Sequence, residues 1–174
     1  MGKSAIAIFN VDPRDFKIKK SFNWTKNKNI KGYVLFQQES KDSPVDVQVN
    51  VEGLPNGLHG MHVHEKKLTQ SILNYNDCCN RLGGHFNPTN DVHGMHVGDL
   101  CFNIESKKKK VDKCFTDYNI SLYGKTFNII DRSLIIHKDE DDMGIANPNG
   151  PINEESLITG NAGARIACSN IMEM

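Results

Sequence analysis

The sequence predicts an all-β chain, an antiparallel sandwich or barrel, on three observations. Val45, Val47, Val49 and Val51 alternate with Asp46, Gln48, Asn50 and Glu52, the period of two that buries one face of a strand and wets the other. Short apolar runs recur along the chain with turn residues between most of them. No segment carries the 3.6-residue apolar period of a long amphipathic helix.

Taken in order, the expected strands are Ser4 to Phe9, Ile30 to Gln37, Val45 to Glu52, His59 to Glu65, Val97 to Ile104, Asn119 to Tyr123 and Ser133 to His137. Pro55-Asn56-Gly57 reads as a turn. The polar, lysine-rich stretch from Asp12 to Asn29 is expected to form an extended hairpin. Lys66 to Pro88 and Lys138 to Gly163 are rich in Gly, Asn and other polar residues and read as long loops. Lys107 to Lys110 reads as a solvated hairpin tip. No internal repeat is evident.

The length of 174 residues suits one domain, expected over residues 1–174. Lys plus Arg number 21 and Asp plus Glu 21, so the formal charge is zero. That balance argues against general nucleic-acid binding, and attraction for an anion must come from local charge. No apolar run approaches membrane-spanning length, so no membrane partner is expected. The first residues lack the apolar stretch of a secretory signal, and Ile6 stands where a myristoylation signal wants Ser or Thr. The expected compartment is the cytoplasm. Asn23-Trp24-Thr25 and Asn119-Ile120-Ser121 match the glycosylation pattern, which would be idle there.

Six of the seven histidines carry the chemistry. In His62-Val63-His64 the alternation of a strand sends both imidazoles to one face. His85, His93 and His96 follow in or beside one loop, with Asp99 three residues further on, and His137 ends the apolar run Leu134-Ile135-Ile136. Any one of them alone would read as structural. Together, nitrogen-rich ligation suits Cu(II), and histidines with one carboxylate suit tetrahedral zinc. The five cysteines, Cys78, Cys79, Cys101, Cys114 and Cys168, contain no C-x-x-C pair, which excludes the usual cysteine zinc sites and redox motifs.

His59-Gly60-Met61-His62-Val63-His64-Glu65 resembles the H-G-F/M-H-V-H-E signature of the copper/zinc superoxide dismutases. Gly84-His85-Phe86-Asn87-Pro88, His96-Val97-Gly98-Asp99-Leu100 and the run from Gly160 to Cys168 are similar to that family's other blocks, in the same order. The resemblance spans nearly the whole chain, from about Ala5 to Cys168. It implies an immunoglobulin-like Greek-key sandwich or barrel with long metal-binding and electrostatic loops. The implied activity is disproportionation of superoxide to dioxygen and hydrogen peroxide, with copper and zinc as cofactors.

Residue by residue, the resemblance implies copper on His62, His64, His85 and His137, and zinc on His85, His93, His96 and Asp99, with His85 bridging both. Asp141 would hydrogen-bond one histidine of each metal. Arg165 would stand beside the open copper position and orient the anion, with Thr159 at the channel mouth, while His85 takes up and returns a proton. His59 would be structural or support the ligands. Cys79 and Cys168 match the family's disulfide, with Cys78 an adjacent competitor, while Cys101 and Cys114 read as plain strand or loop residues. A homodimer and a copper chaperone are the implied protein partners.

The sequence also departs from the family pattern. His93 and His96 are only three residues apart, a shortened zinc loop that calls the site's geometry into question. The stretch from Glu65 to Cys79 is longer than usual, in a region that helps form the family's dimer interface. The loop after Asp141 carries the extra run Asn147-Pro148-Asn149-Gly150-Pro151. Two positions that commonly hold guiding lysines are Asp139 and Ile158 here, while Glu154 and Glu155 are kept, which implies weaker steering and slower, less salt-dependent turnover. The competing reading is a weak or inactive relative that binds metal or meets a copper chaperone, although every ligand and Arg165 are retained. A purely structural sandwich with scattered histidines would purify without metal.

Overall fold

The computed structural model describes residues 2–101, 103–145 and 154–174, so the run at 147–151 lies outside the described residues. Nine strands occur among the described residues: β1 (Lys3–Phe9), β2 (Asn23–Thr25), β3 (Lys31–Gln38), β4 (Val45–Glu52), β5 (Gly57–His64), β6 (Asn103–Ser106), β7 (Lys110–Asp117), β8 (Ser133–His137) and β9 (Arg165–Glu173). The order across the sheet is β6-β5-β8-β9-β1-β3-β4-β7, every strand pairing among the described residues is antiparallel, and β2 adds to β9. The two ends of that order, β6 and β7, are joined by the tight turn bridged at Lys107 and Lys110, so the sheet curls into a barrel. Because β5 pairs with β6 and β8 rather than with β4, the connection after β4 must cross the barrel end, as a Greek key does.

The valine pattern produces β4 as expected: Val45, Val47, Val49 and Val51 are buried in the main core with Phe9, Phe36, Met61, Val63, Leu134 and Ile136. At the 107–110 tip, Lys108 and Lys109 have φ of 52° and 61°, the left-handed pair that a two-residue hairpin turn demands. α1 (Gln70–Leu73) and α2 (Ser156–Thr159) are single turns, and no helix among the described residues is long and apolar enough to cross a membrane.

Four expectations need correction. The strand expected over Val97 to Ile104 is confined to β6; Val97, Asp99 and Leu100 are buried outside it, in a turn drawn inward by the Asp99 carboxylate. Asn119 to Tyr123 is a loop with one isolated bridge, Ser121 to Asn128, pinned by Asp117 and Gln38. β7 and β9 were absent from the expected strands; β7 alternates only weakly, with Lys113 on its inward track. Finally, the stretch from Asp12 to Asn29 is not a hairpin. It holds a 3-10 turn, Pro13–Phe16, capped by Asp12, and then β2.

That stretch covers outer faces of the barrel. Ile18, with Val11 and Phe16, packs on Ile6 and Ile8 of β1. Phe22 and Trp24 pack on a second cluster of Leu68, Cys78, Cys79, Leu82, Ile135 and Cys168. A disulfide joins Cys79 to Cys168 across 89 residues, which loop entropy values at about 4–5 kcal/mol on the chain-entropy model.

Candidate metal centre

The barrel presents its ligands by strand parity. Met61 and Val63 of β5 and Leu134 and Ile136 of β8 point into the main core. His62, His64 and His137 therefore stand on the opposite face, under the long loops. His85 is brought alongside by an isolated bridge to His64, fixed by Phe86 N–H donating to the Val63 carbonyl at 2.8 Å. One ligating atom from each of His62, His64, His85 and His137 falls within 4.8 Å of all the others. The same holds for His85, His93, His96 and Asp99, so His85 belongs to both groups.

The hydrogen bonds decide which nitrogen each ring offers. His64 Nδ1–H donates to the Gly83 carbonyl and His137 Nδ1–H to the Gly163 carbonyl, each at 3.1 Å. Asp141 sits between two rings, accepting from His62 Nε2–H at 2.5 Å and from His93 Nε2–H at 2.9 Å. The atoms left over are His62 Nδ1, His64 Nε2, His93 Nδ1 and His137 Nε2, all buried without a hydrogen-bond partner among the described residues. A buried polar atom left so costs about 1–3 kcal/mol. Four of them aimed at two common points fit metal ions, and the unused nitrogen is fixed in each case by its neighbour's bond.

The second group has the dimensions of a tetrahedral site. Asp99 Oδ1 lies 2.8 Å from His85 Nδ1 and 3.2 Å from both His93 Nδ1 and His96 Nδ1. Metal–ligand bonds of about 2.0 Å give tetrahedral edges of roughly 3.3 Å. His93 Nδ1 is near Asp99 in distance yet forms no hydrogen bond with it, which suits two ligands of one ion better than a donor and its acceptor. The other carboxylate oxygen, Oδ2, accepts from Gly94 N–H at 2.8 Å and His96 N–H at 3.0 Å. The shortened loop thus closes as a tight turn around Asp99. Gly94 is required there: its φ is +92°, and a Cβ would lie 2.8 Å from the Met143 carbonyl.

Electrostatics follow from burial. Burial, with the Arg165 charge and the neighbouring rings, holds His64 well below the usual imidazole value, and burial with the His62 ring does the same to His137. Burial also pulls His85 down to about 4, despite Asp99. For His93, burial opposes the charge but Asp141 and Asp99 outweigh it, raising it to about 9. Burial likewise opposes charge on Asp99 and Asp141, yet the surrounding histidines hold both carboxyls well below their ordinary value. Without a metal, then, His64, His85 and His137 are neutral and ready to ligate.

Arg165 reaches the same face by a bulge. In the β8–β9 ladder Ile136 faces Ala167 and His137 faces Arg165, with Ile166 skipped. Its guanidinium donates to the carbonyls of Cys79 and Gly83, each at 2.8 Å. A cleft of about 340 Å³ opens over the histidines, lined by His85, His137, Thr159, Asn161 and Arg165 among others. Thr159 Oγ1 bonds Glu155 at its edge. A wider groove of about 760 Å³ runs between residues 38–44 and 118–127, away from the histidines; a diatomic anion needs the charged cleft, not the larger space.

His59 joins neither group; its ring nitrogens lie 2.9 and 3.0 Å from the carbonyls of Pro55 and His137, so it ties β5 to the turn before it and to the end of β8. Sequence reasoning missed Asn103 and Gly83. The Asn103 side chain bonds the Asp141 N–H and carbonyl reciprocally, each at 2.8 Å. Gly83 acts only through its carbonyl, which no side-chain pattern signals.

Comparison with known proteins agrees with this geometry. Residues 30–171 match the family described as copper/zinc superoxide dismutase (SODC). The chain is 40% identical over 151 residues to a putative Cu-Zn superoxide dismutase of Autographa californica nuclear polyhedrosis virus, covering 82% of this chain and 91% of that protein. It is 43% identical over 150 residues to the Cu-Zn superoxide dismutase of Paramecium bursaria Chlorella virus 1, covering 82% and 72%. It is 40% identical over 153 residues to the Drosophila melanogaster extracellular Cu-Zn superoxide dismutase, covering 83% and 77%. A family match over most of the chain, together with histidine groups that fit both metals, shows that this chain belongs to the copper/zinc superoxide dismutase family.

Proposed function

We propose that the chain disproportionates superoxide with copper held by His62, His64, His85 and His137, and with zinc held by His85, His93, His96 and Asp99. The observation that carries the reading is the set of buried, partnerless ring nitrogens aimed at two points while the opposite nitrogen of each ring is hydrogen-bonded. A bound copper supplies one-electron exchange, by which one superoxide is oxidised to dioxygen and a second, with two protons, is reduced to hydrogen peroxide; zinc changes no redox state.

The protein's own residues do the rest. Arg165 keeps its charge despite burial and presents a fixed cation beside His137 and His85 in the cleft. With His85 Nδ1 turned to Asp99, Nε2 is the nitrogen left for the copper group and the atom that takes up and returns a proton. Asp141 and the carbonyls of Gly83 and Gly163 hold the ligand rings in one tautomer. Thr159 narrows the cleft beside Arg165.

Family membership supports a second copy of the chain and a copper chaperone as protein partners. Sedimentation, and copper occupancy after expression in a host lacking the chaperone, test these. The cytoplasm is our reading for the compartment, although one relative is named extracellular; cell fractionation tests it. For the activity, the test is a superoxide assay on metal-analysed protein. His137→Ala is expected to lose copper and activity while keeping zinc, and Arg165→Ala to keep both metals with a lower rate. Unchanged activity in His137→Ala overturns the copper assignment.

A further inference from the structure

Three sulfurs meet behind the active-site arginine. One ligating atom from each of Cys78, Cys79 and Cys168 lies within 4.8 Å of the other two, and all three residues are buried. Only Cys79 and Cys168 are bonded, and Cys78 is a free thiol. They share one apolar cluster, with Leu68, Leu82 and Ile135 around them and Phe22 and Trp24 packed against it. Neither metal group uses Cys78. A free thiol held this close to a disulfide is placed for exchange with it.

We propose that Cys78 is a second covalent partner for Cys168, so that the bridge between the loop after β5 and strand β9 migrates between two adjacent cysteines within the folded chain. Cys78 Sγ gives its proton to solvent, and the thiolate attacks Cys168 Sγ. The Cys78–Cys168 bond forms as the Cys79–Cys168 bond breaks. The electron pair leaves on Cys79 Sγ, which takes up a proton. The step is an isomerisation with no net oxidation. Adjacent Cα atoms are about 3.8 Å apart, and bridgeable Cα separations run to about 6.8 Å. What the exchange asks of the backbone is therefore a rotation of the short 3-10 turn Cys78–Leu82.

Burial pushes the Cys78 thiol up, and the thiolate is the attacking species. Migration is therefore slow at neutral pH and faster in alkali. It also reaches the active site, because the Cys79 carbonyl accepts from Arg165 Nη1–H at 2.8 Å. Which cysteine carries the bridge sets where that carbonyl sits. This last link rests on the role proposed for Arg165; the migration itself does not.

The test uses the metal-loaded full chain with no reductant. Samples are held at neutral and at alkaline pH, quenched in acid, denatured and labelled with N-ethylmaleimide. The tryptic peptide Leu68–Arg81 carries both cysteines, and fragmentation shows which bears the label. The expected result is label on Cys78 at first, then a growing share on Cys79, faster at alkaline pH and absent in Cys78→Ser. No label on Cys79 overturns the proposal, as does equal labelling in Cys78→Ser. Label on Cys168, which marks a Cys78–Cys79 bond, overturns it as well.

A second variant keeps the question open to refutation by an independent route. Cys79→Ser, reduced and air-oxidised without denaturation, should join peptide Leu68–Arg81 to Ile166–Met174 and leave two free thiols, Cys101 and Cys114. Four free thiols overturn the proposal. Activity per bound copper is read separately. Migration at unchanged activity removes only the link to Arg165, whereas absent migration removes the bridge claim whatever the activity.

Discussion

Arg165 stands directly opposite His137 in the β8–β9 ladder only because Ile166 is skipped by a bulge. Without the bulge His137 would face Ile166, whose side chain belongs to the main core. One extra residue thus turns the guanidinium onto the metal face, a use of bulges often seen beside functional sites. Arg165→Ala, which takes the guanidinium off that face, is expected to lower turnover while copper and zinc stay bound. A charged hydrogen bond is worth about 1.5–3 kcal/mol, so the loss is roughly ten- to a hundredfold in kcat/KM. Stopped-flow superoxide decay with metal analysis checks it.

Asp141 holds His62 and His93 at once. Asp141→Ala frees both rings to rotate and removes the tautomer lock on one ligand of each metal. Affinity is expected to fall for zinc and for copper together, by about 10–100-fold. Competition against a chelator for each metal separately reads the result; a loss confined to one metal would refute the shared role.

The metal-free protein should be most stable close to neutrality. His64, His85 and His137 are neutral when folded and titrate near the ordinary imidazole value when unfolded. The unfolded chain then binds more protons as pH falls from about 6.5 towards 4, and stability is lost over that window. The depressed carboxyls of Asp99 and Asp141 add to the loss in acid. His93 has the opposite sign: its contribution is full below 6.5 and disappears as pH rises through about 9. Calorimetry of the metal-free chain across this range should show Tm falling on both sides of neutrality.

Gly160 has φ +64°, and a Cβ there would run into Asp141 Oδ1 and His93 Nε2. Gly160→Ala is expected to eject zinc and to destabilise the chain by about 1 kcal/mol or more from the left-handed backbone alone. Gly84→Ala, which meets nothing within 4 Å, is the matched control and should be close to neutral. Zinc content and Tm of the two variants decide the matter.

Lys138 is paired with Asp139 at 3.4 Å, and Ile158 of α2 is exposed and uncharged. With little free positive charge at these positions, kcat/KM should fall only gently with added salt. Asp139→Lys is expected to raise the rate at low ionic strength and to make it steeply salt-dependent, since steering by fixed charge is screened by salt. A steep salt dependence in the unaltered protein would count against this.

Much of this protein is legible in its residues. The alternation in β4 and the H-x-H pair of β5 follow from the two-residue period of a strand, which needs no tertiary partner to be read. The resemblance named every histidine that the fold gathers into the two groups. What stayed hidden depends on contacts between distant segments. β7 has a weak alternation of its own and is a strand because β4 pairs with it; β2 exists through its pairing with β9. The roles of Asn103 and Gly83 run through backbone groups, which carry no residue signature.

The sequence by itself determined the donor set: which imidazoles, carboxylates and cysteines the chain possesses, and the strand parity that puts His62 and His64 on one side. Only the tertiary structure decided which nitrogen of each ring is bare, how the two residues between His93 and His96 let the chain close around Asp99, and that Arg165 and a third sulfur arrive at the same place. The reason is physical: composition and period are local properties of a chain, whereas a hydrogen bond's choice of partner is settled by which distant groups the fold brings within reach.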